Sequence, residues 1–406
     1  MTTKRSSALL IGMAVLAAAT ACSSGSSSDK PTDSGNGAAA PTGSPIVLFA
    51  SVSLSGPAGV TPGVKAGAQI AVDAINAAGG IKGHPLKFIA CDVKGTPAGS
   101  QACGQQAVQA KAVAIINSQD AFGGAITATD AAGIPTIGNC VCSQPDALLP
   151  TSYPTVTGPT SQAAQGTVLA ALGAKTVSAA VFDGAAGDTI AANVNSGLKP
   201  FGQQLEHIVK IPTTAGDLSP YVAQLKTSEG INLITAPSTT LQLLRELKKS
   251  NYQGKIVTSS ALVTPKDLSK LGAAGQGVYV VGGSLPSTDQ SAPGVAAFNA
   301  DVSKFGGSDA DHDGYSVEAW ATIKMLAKVM DTLPTVTAET LTAALKSAGQ
   351  LQVEPMVPVD FGKPVSLFSP VREFNTTFYL TKIDNGKFVP VSTKPYDITN
   401  PPKTLP

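Results

Sequence analysis

Aromatic side chains make up 5% of the 406 residues and charged ones 14%, the latter well under the roughly 25% of an ordinary soluble domain. Few residues are therefore available to wall a pocket with rings. The charges nearly cancel, with 28 Lys and Arg against 27 Asp and Glu. Neither a basic stripe for a phosphate backbone nor a polybasic patch for a membrane surface is present, so nucleic acid is excluded as a partner. His84, His207 and His312 lie in separate segments, without the spacing of a zinc-protease helix. There is no Gly-x-Ser-x-Gly elbow, and the turn at Gly79 and Gly80 lacks the Lys-Ser/Thr ending of a phosphate-binding loop. With no convergent nucleophile, base or ligand set, the sequence predicts a protein that is not an enzyme and uses no cofactor and no metal. The nearest approach to a metal loop is Asp309, Asp311 and Asp313 before Gly314, but its twelfth position is Trp320, where a calcium loop needs a bidentate Glu. It reads as a solvated turn leading into a helix at Tyr315.

Long apolar runs are also lacking. The run from Ala8 to Ala21 follows Lys4 and Arg5 and is shorter than the about 20 residues a spanning helix needs. Its position and flanks predict a signal peptide over 1–21. It ends in Ala19, Thr20, Ala21 and Cys22, small residues before a cysteine that resemble the bacterial lipobox, with Ala19 where the usual pattern has Leu. That resemblance implies lipid attachment at Cys22 and a protein anchored at the outer face of the cytoplasmic membrane. Residues 22–43, rich in Ser, Gly, Ala, Pro and Thr, cannot bury enough apolar area to fold and read as a flexible tether.

Removing Cys22 leaves Cys91, Cys103, Cys140 and Cys142, an even set that points to two disulfides in an oxidising compartment. Three pairings are open on sequence alone. Cys91 with Cys103 closes a short loop between a strand and a helix, and Cys140 with Cys142 closes a very small ring. A zinc site of four thiolates is the rival, and the absence of paired C-x-x-C knuckles stands against it.

What is present is a repeated alternation. Apolar runs at 46–52, 86–91, 112–117 and 134–138 read as strands, separated by helical patterns at 63–78, 101–111 and 121–132. In the helix over 63–78, Val64, Ala68, Val72 and Ile75 recur on one face, and Gly79 with Gly80 stops it. After an aperiodic stretch at 153–162 the pattern restarts: strands at 176–182, 206–211, 233–236, 256–258 and 278–281, with helices at 161–172, 188–200, 218–228 and 241–250. Helices follow at 292–305 and 315–333, then strands at 357–361, 377–383 and 388–391, the last two joined by the hairpin signal Asn385 and Gly386. Alternating strands and helices predict an α/β protein of two Rossmann-like lobes with parallel sheets and a ligand cleft between them.

The stretch SLSGP at 53–57 and GAQIAVDAINAAGGIKGHPL at 67–86, with Asn76 opening an N-x-x-G-G-I-x-G element, resembles the leucine/isoleucine/valine-binding protein family. Members have type I periplasmic-binding-protein folds and serve ABC importers. The similarity continues in Cys91 with Asp92 and in the segment Ala132 to Pro135, and the order of elements matches from about residue 44 to 395. It implies three crossover hinge strands, with 44–157 and 285–352 forming the first lobe and 158–284 and 353–406 the second. It also implies a small-molecule ligand, a membrane permease as partner and a monomeric state. The first lobe would hold the ligand through Ser118, Gln119 and Asp120 and through Cys140, Val141, Cys142 and Ser143. An alternative for Ser118 is a cap on the helix that follows Asp120. In the second lobe the corresponding loops offer Asp183, Ser238, Thr239 and Ser260.

Members that bind amino acids usually present an acid from the second lobe to the ammonium, and here the loop at 258–262 has none. An ammonium buried without a counter-charge costs several kcal/mol. The ligand is therefore expected to be an amino acid-like or other small organic molecule rather than a standard branched-chain amino acid, with Asp183 and Asp120 as the remaining sources of charge. A sensory protein that presents its closed form to a receptor is the alternative to an importer.

Overall fold

The computed structural model describes residues 40–56, 60–155, 158–306, 312–368 and 370–406. The signal segment, Cys22, most of the tether, and Asp309 and Asp311 of the calcium-like loop lie outside them. Among the described residues no helix is long and apolar enough to cross a membrane.

The first sheet is built from β1 (Ile46–Val52), β2 (Leu86–Asp92), β3 (Ala114–Ile116), β4 (Thr136–Ile137) and β5 (Ser152–Tyr153). All pair in parallel in the order β2-β1-β3-β4-β5. Helices α1 (Pro62–Ala77), α2 (Pro97–Gln109), α3 (Gly124–Asp130) and the short α4 (Gln144–Leu148) connect them. In α1 the buried residues Val64, Ala68, Val72 and Ile75 form the expected stripe, and Pro62 opens the helix. The Asn76 side chain exchanges two hydrogen bonds with the Leu86 backbone, 2.7 and 2.9 Å. The N-x-x-G-G-I-x-G element thereby fastens the end of α1 to the start of β2, with Gly79 and Gly80 at φ +102° and +70° making the turn.

The second sheet contains β6 (Val177–Phe182), β7 (Leu205–Ile211), β8 (Gly230–Ile234), β9 (Lys255–Ser259), β10 (Tyr279–Gly282), β11 (Thr377–Asp384) and β12 (Lys387–Pro390) in the order β12-β11-β10-β9-β8-β6-β7. Strands β6 to β10 are parallel, whereas β11 and β12 are antiparallel additions. Asn385 and Gly386, both with positive φ, form the two-residue turn of that last hairpin. The helices are α5 (Pro159–Ala171), α6 (Ala185–Leu198), α7 (Ser219–Leu225), α8 (Pro237–Lys249) and α9 (Pro265–Leu271). Strand β6 is buried in five of its six positions, as expected of a parallel strand covered on both faces.

The chain then returns to the first lobe with α10 (Pro293–Phe305), α11 (Gly314–Met330) and α12 (Ala338–Ser347). Their apolar faces share one core with β1 and α1, while Cys103, Ala107 and Ala125 of α2 and α3 cover the opposite face. Three connections join the lobes: between β5 and α5, between β10 and α10, and between α12 and β11. The last two run side by side, with Ser284 bridged to Met356 and the Val357 N–H bonded to the Gly283 carbonyl at 2.9 Å. The expected strand at 357–361 belongs to this connection. Within it Val359 makes an isolated bridge to Leu351 and the Val357 N–H bonds the Gly283 carbonyl just past β10, without forming a ladder. Tyr153, Phe361 and Phe374 pack there with ring centroids 5.5–5.6 Å apart.

Candidate functional site

In a doubly wound sheet the crevice opens where strand order reverses, beyond the carboxyl ends of the strands. In the first lobe that point lies between β1 and β3. Ser51, near the end of β1, and Ser118, just past β3, have their hydroxyls 2.7 Å apart and are both buried. The Gln119 N–H donates to the Ser51 carbonyl at 3.1 Å. The loop after β1 is pinned from the side by Asp92, which accepts from the Leu54 and Ser55 N–H groups, the Ser55 hydroxyl and the Lys94 N–H. Slight burial works against them, but these bonds hold the Asp92 carboxyl down at about 2.

Ser118 is not the helix cap. Gly123 stands at the N-cap of α3, and the Ser100 hydroxyl accepts from the Ala125 N–H at 2.9 Å while donating to the Asp120 carboxylate, which itself accepts from the Phe122 N–H at 3.0 Å and from the Ala125 N–H at 3.4 Å. Ser143 is likewise committed, as the cap of α4, where it accepts from the Asp146 N–H and donates to Asp146 Oδ2 at 2.5 Å. Ser143 and Asp146 stand three positions apart in the sequence, the spacing of an N-cap and the third helical residue. Burial pushes Asp146 up to about 7, against the hydrogen bonds from Ser143 and Asn139 and with the charge of Asp120 adding to the rise.

Between these anchors lie Cys140, Val141 and Cys142. Cys140 and Cys142 form a disulfide with Cα atoms 5.1 Å apart, and Cys91 is bonded to Cys103 with Cα atoms 5.6 Å apart. The Cys140 N–H donates to the Ser118 carbonyl at 3.2 Å, which ties the loop after β4 to the loop after β3. Among the described residues no His, Cys, Asp and Glu are grouped so as to hold a metal ion.

Helix α11 also carries a buried acid, Glu318. Thr322 stands against the end of β4, since a Cβ on Gly138 would lie 3.1 Å from its hydroxyl. Glu318 is one turn nearer the helix start on that face and only 4% exposed. Burial pushes its carboxyl up to about 8, with the nearby Asp313 charge adding to the effect. No local pattern in the sequence marks this residue, because its burial follows from the packing of α11, whose main neighbour is α1.

The second lobe presents less. Its strand order reverses between β6 and β8, and Asp183, just past β6, is exposed there. Ser238 and Thr239 are not in a loop but in the first turn of α8, because Pro237 starts that helix four residues before its first Leu. Ser260 follows β9, with its N–H on the Val281 carbonyl at 2.9 Å. It lines a cavity of about 40 Å³ together with Gly282, Ser287, His312, Val317 and Tyr379, so both lobes contribute walls. This volume is a fraction of the roughly 300–1,000 Å³ of a ligand pocket. Two larger hollows lie at the opposite end of the second sheet, around Ser228 and Tyr252, away from the carboxyl ends of the strands.

Comparison with known proteins agrees with this architecture. A substrate-binding periplasmic protein from Ralstonia solanacearum superposes with a TM-score of 0.70 at 20% identity, covering 85% of this chain and 99% of that one. A solute-binding protein of an ABC transporter from R. palustris, solved with 4-hydroxybenzoate, gives 0.69 at 21% identity over 88% and 98% of the two chains. A branched-chain amino acid transporter substrate-binding protein from Streptococcus pneumoniae, solved with isoleucine, gives 0.67 at 17% identity over 84% and 97%. No curated protein matches the sequence. The model of one family, described as periplasmic binding protein, matches residues 50–387. The chain therefore belongs to the periplasmic binding protein family.

Proposed function

We propose that this protein is the Cys22-lipidated solute-binding component of an ABC importer, and that it closes its lobes on a small organic carboxylate without an ammonium group, such as an aromatic acid. The observation that carries the ligand class is the polar but largely uncharged character of the cleft. Ser51 and Ser118 supply hydroxyls at the strand-order reversal. The Asp120 carboxylate is spent on the Ser100 hydroxyl and the Phe122 N–H. Glu318, pushed up to about 8, is protonated at neutral pH, so it can donate a hydrogen bond to a carboxylate that an ionised acid would repel. The loop at 258–262 contributes Ser260 and no acid. A similar structure holding 4-hydroxybenzoate supports this reading.

One observation favours a second reading. Asp183 stands exposed at the strand-order reversal of the second sheet, where it could meet the ammonium of an amino acid, and a similar structure holds isoleucine. Calorimetric titration separates the two. Tight binding of benzoate or 4-hydroxybenzoate, unchanged in Asp183→Asn, is the expected result. Tight binding of leucine or isoleucine that Asp183→Asn abolishes would replace the first reading with the second.

A further inference from the structure

The disulfide between Cys140 and Cys142 encloses a single residue, Val141. Global stabilisation is a weak reason for such a bridge, because a short loop removes little entropy from the unfolded chain. Its surroundings suggest a local role. Upstream, Asn139 is fully buried, with Nδ2 at 3.0 Å from Asp146 Oδ1, 3.1 Å from Ser152 Oγ and 3.2 Å from the Cys140 carbonyl. Downstream, Ser143 is locked onto Asp146. Both ends of the loop are therefore fixed, and the bridge closes what lies between them. Cys140 is buried and bonded to the Ser118 carbonyl, whereas Cys142 is exposed. Val141 rests against the first connection between the lobes: a Cβ on Gly158 would lie 3.0 Å from Val141 Cγ2. The other bridge is different in kind. It spans 12 residues from the end of β2 to α2, and Cys103 is fully buried.

We propose that the Cys140–Cys142 bridge is a thiol-responsive site that positions the first lobe's ligand wall, so that its opening by a dithiol weakens ligand binding without unfolding the protein. The proposal rests on the proposed function, in which the loops after β3 and β4 receive the ligand. The chemistry is ordinary exchange. A thiolate of the external dithiol attacks the exposed Cys142 sulfur, forming a mixed disulfide and releasing Cys140 as a thiolate. The donor's second thiol then displaces Cys142 and leaves as a closed disulfide. The protein gains two electrons, and its two new thiolates take up the two protons the dithiol gives up. Once open, the 140–142 segment is held only at its ends, and the Cys140 N–H is no longer fixed toward Ser118.

Purified protein is treated with graded dithiothreitol, trapped with N-ethylmaleimide and mapped by peptide mass spectrometry. Cys140 and Cys142 should be labelled first, while Cys91 and Cys103 remain bridged. In the opened protein, and in the double variant Cys140→Ser with Cys142→Ser, amide hydrogen exchange should speed up at 139–143 and at 118–120. The melting temperature should stay within a few degrees of the oxidised protein. The Kd for 4-hydroxybenzoate should rise roughly tenfold, the scale of one lost positioned hydrogen bond. Free thiols at Cys140 and Cys142 in untreated protein would overturn the proposal, as would unchanged loop exchange after opening or an unchanged Kd. If the oxidised protein does not bind 4-hydroxybenzoate, the ligand assignment fails instead, and the labelling and exchange measurements still decide the role of the bridge.

Discussion

Glu318→Gln tests whether the buried acid of α11 is neutral in the folded protein. Burial, with the Asp313 charge adding, pushes the Glu318 carboxyl up to about 8 from its ordinary 4.5. Between those two values the folded chain holds a proton that the unfolded chain has released. Stability therefore falls as pH rises from about 4.5 and stops falling once the pH passes about 8. Each pH unit of that interval is worth about 1.4 kcal/mol, so the whole span amounts to a few kcal/mol, a sizeable part of the roughly 5–15 kcal/mol that holds a typical protein folded. Asp146 acts with the same sign over a lower window, from 3.8 to about 7. Glutamine keeps the shape and hydrogen-bonding capacity of a protonated Glu and has no proton to lose. Urea midpoints near pH 5, 7 and 9 make the comparison. The variant should match or fall slightly below the parent near pH 5 and overtake it progressively, so that the gap is widest near pH 9. Two stability curves offset by the same amount at every pH would refute the reasoning, because a group that is ionised in the native state at neutral pH cannot produce the divergence.

Two further outcomes are expected. Gly67 lets α1 approach α11: a Cβ there would lie 1.9 Å from the Ser316 carbonyl oxygen, which is backbone and cannot rotate away. Gly67→Ala should therefore cost about 1–3 kcal/mol and lower the melting temperature by several degrees. Gly216→Ala, where a Cβ meets nothing within 4 Å, should change it little, and equal melting of the two variants would contradict the close packing of α1 on α11. For the anchor, peptide mass spectrometry should find a lipid adduct on Cys22, and Cys22→Ser should move the protein from the membrane fraction to the soluble extracytoplasmic one. A variant that stays with the membrane would count against lipidation at that residue.

Much of the fold is legible because parallel strands covered on both faces are continuous apolar runs, as in Ile46–Val52 and Val177–Phe182. Gly and Pro also mark where the helices between them begin and end. Less direct signals are present but easily passed over. Thr337 caps α12, and Leu341 and Leu345 recur on its buried face; Thr264 and Asp267 box the start of α9. Residues 357–361 fail in the opposite direction, since their composition suits a strand but they run in a connection whose bridges stay isolated. The candidate site is legible only to the level of its loops. Within them, residue type does not decide which group is left for a ligand; local partners do. Asp120 and Ser143 have the right chemistry, yet Asp120 is used up by the Ser100 hydroxyl and the Phe122 N–H of the turn before α3, and Ser143 by the Asp146 N–H at the start of α4. Ser118, at the strand-order reversal, has no helix to cap; its hydroxyl meets the Ser51 hydroxyl at 2.7 Å and the Ser51 carbonyl at 3.3 Å. Under the proposed function, this hydroxyl pair, each member of which both donates and accepts, would turn toward an entering carboxylate without stranding a buried charge.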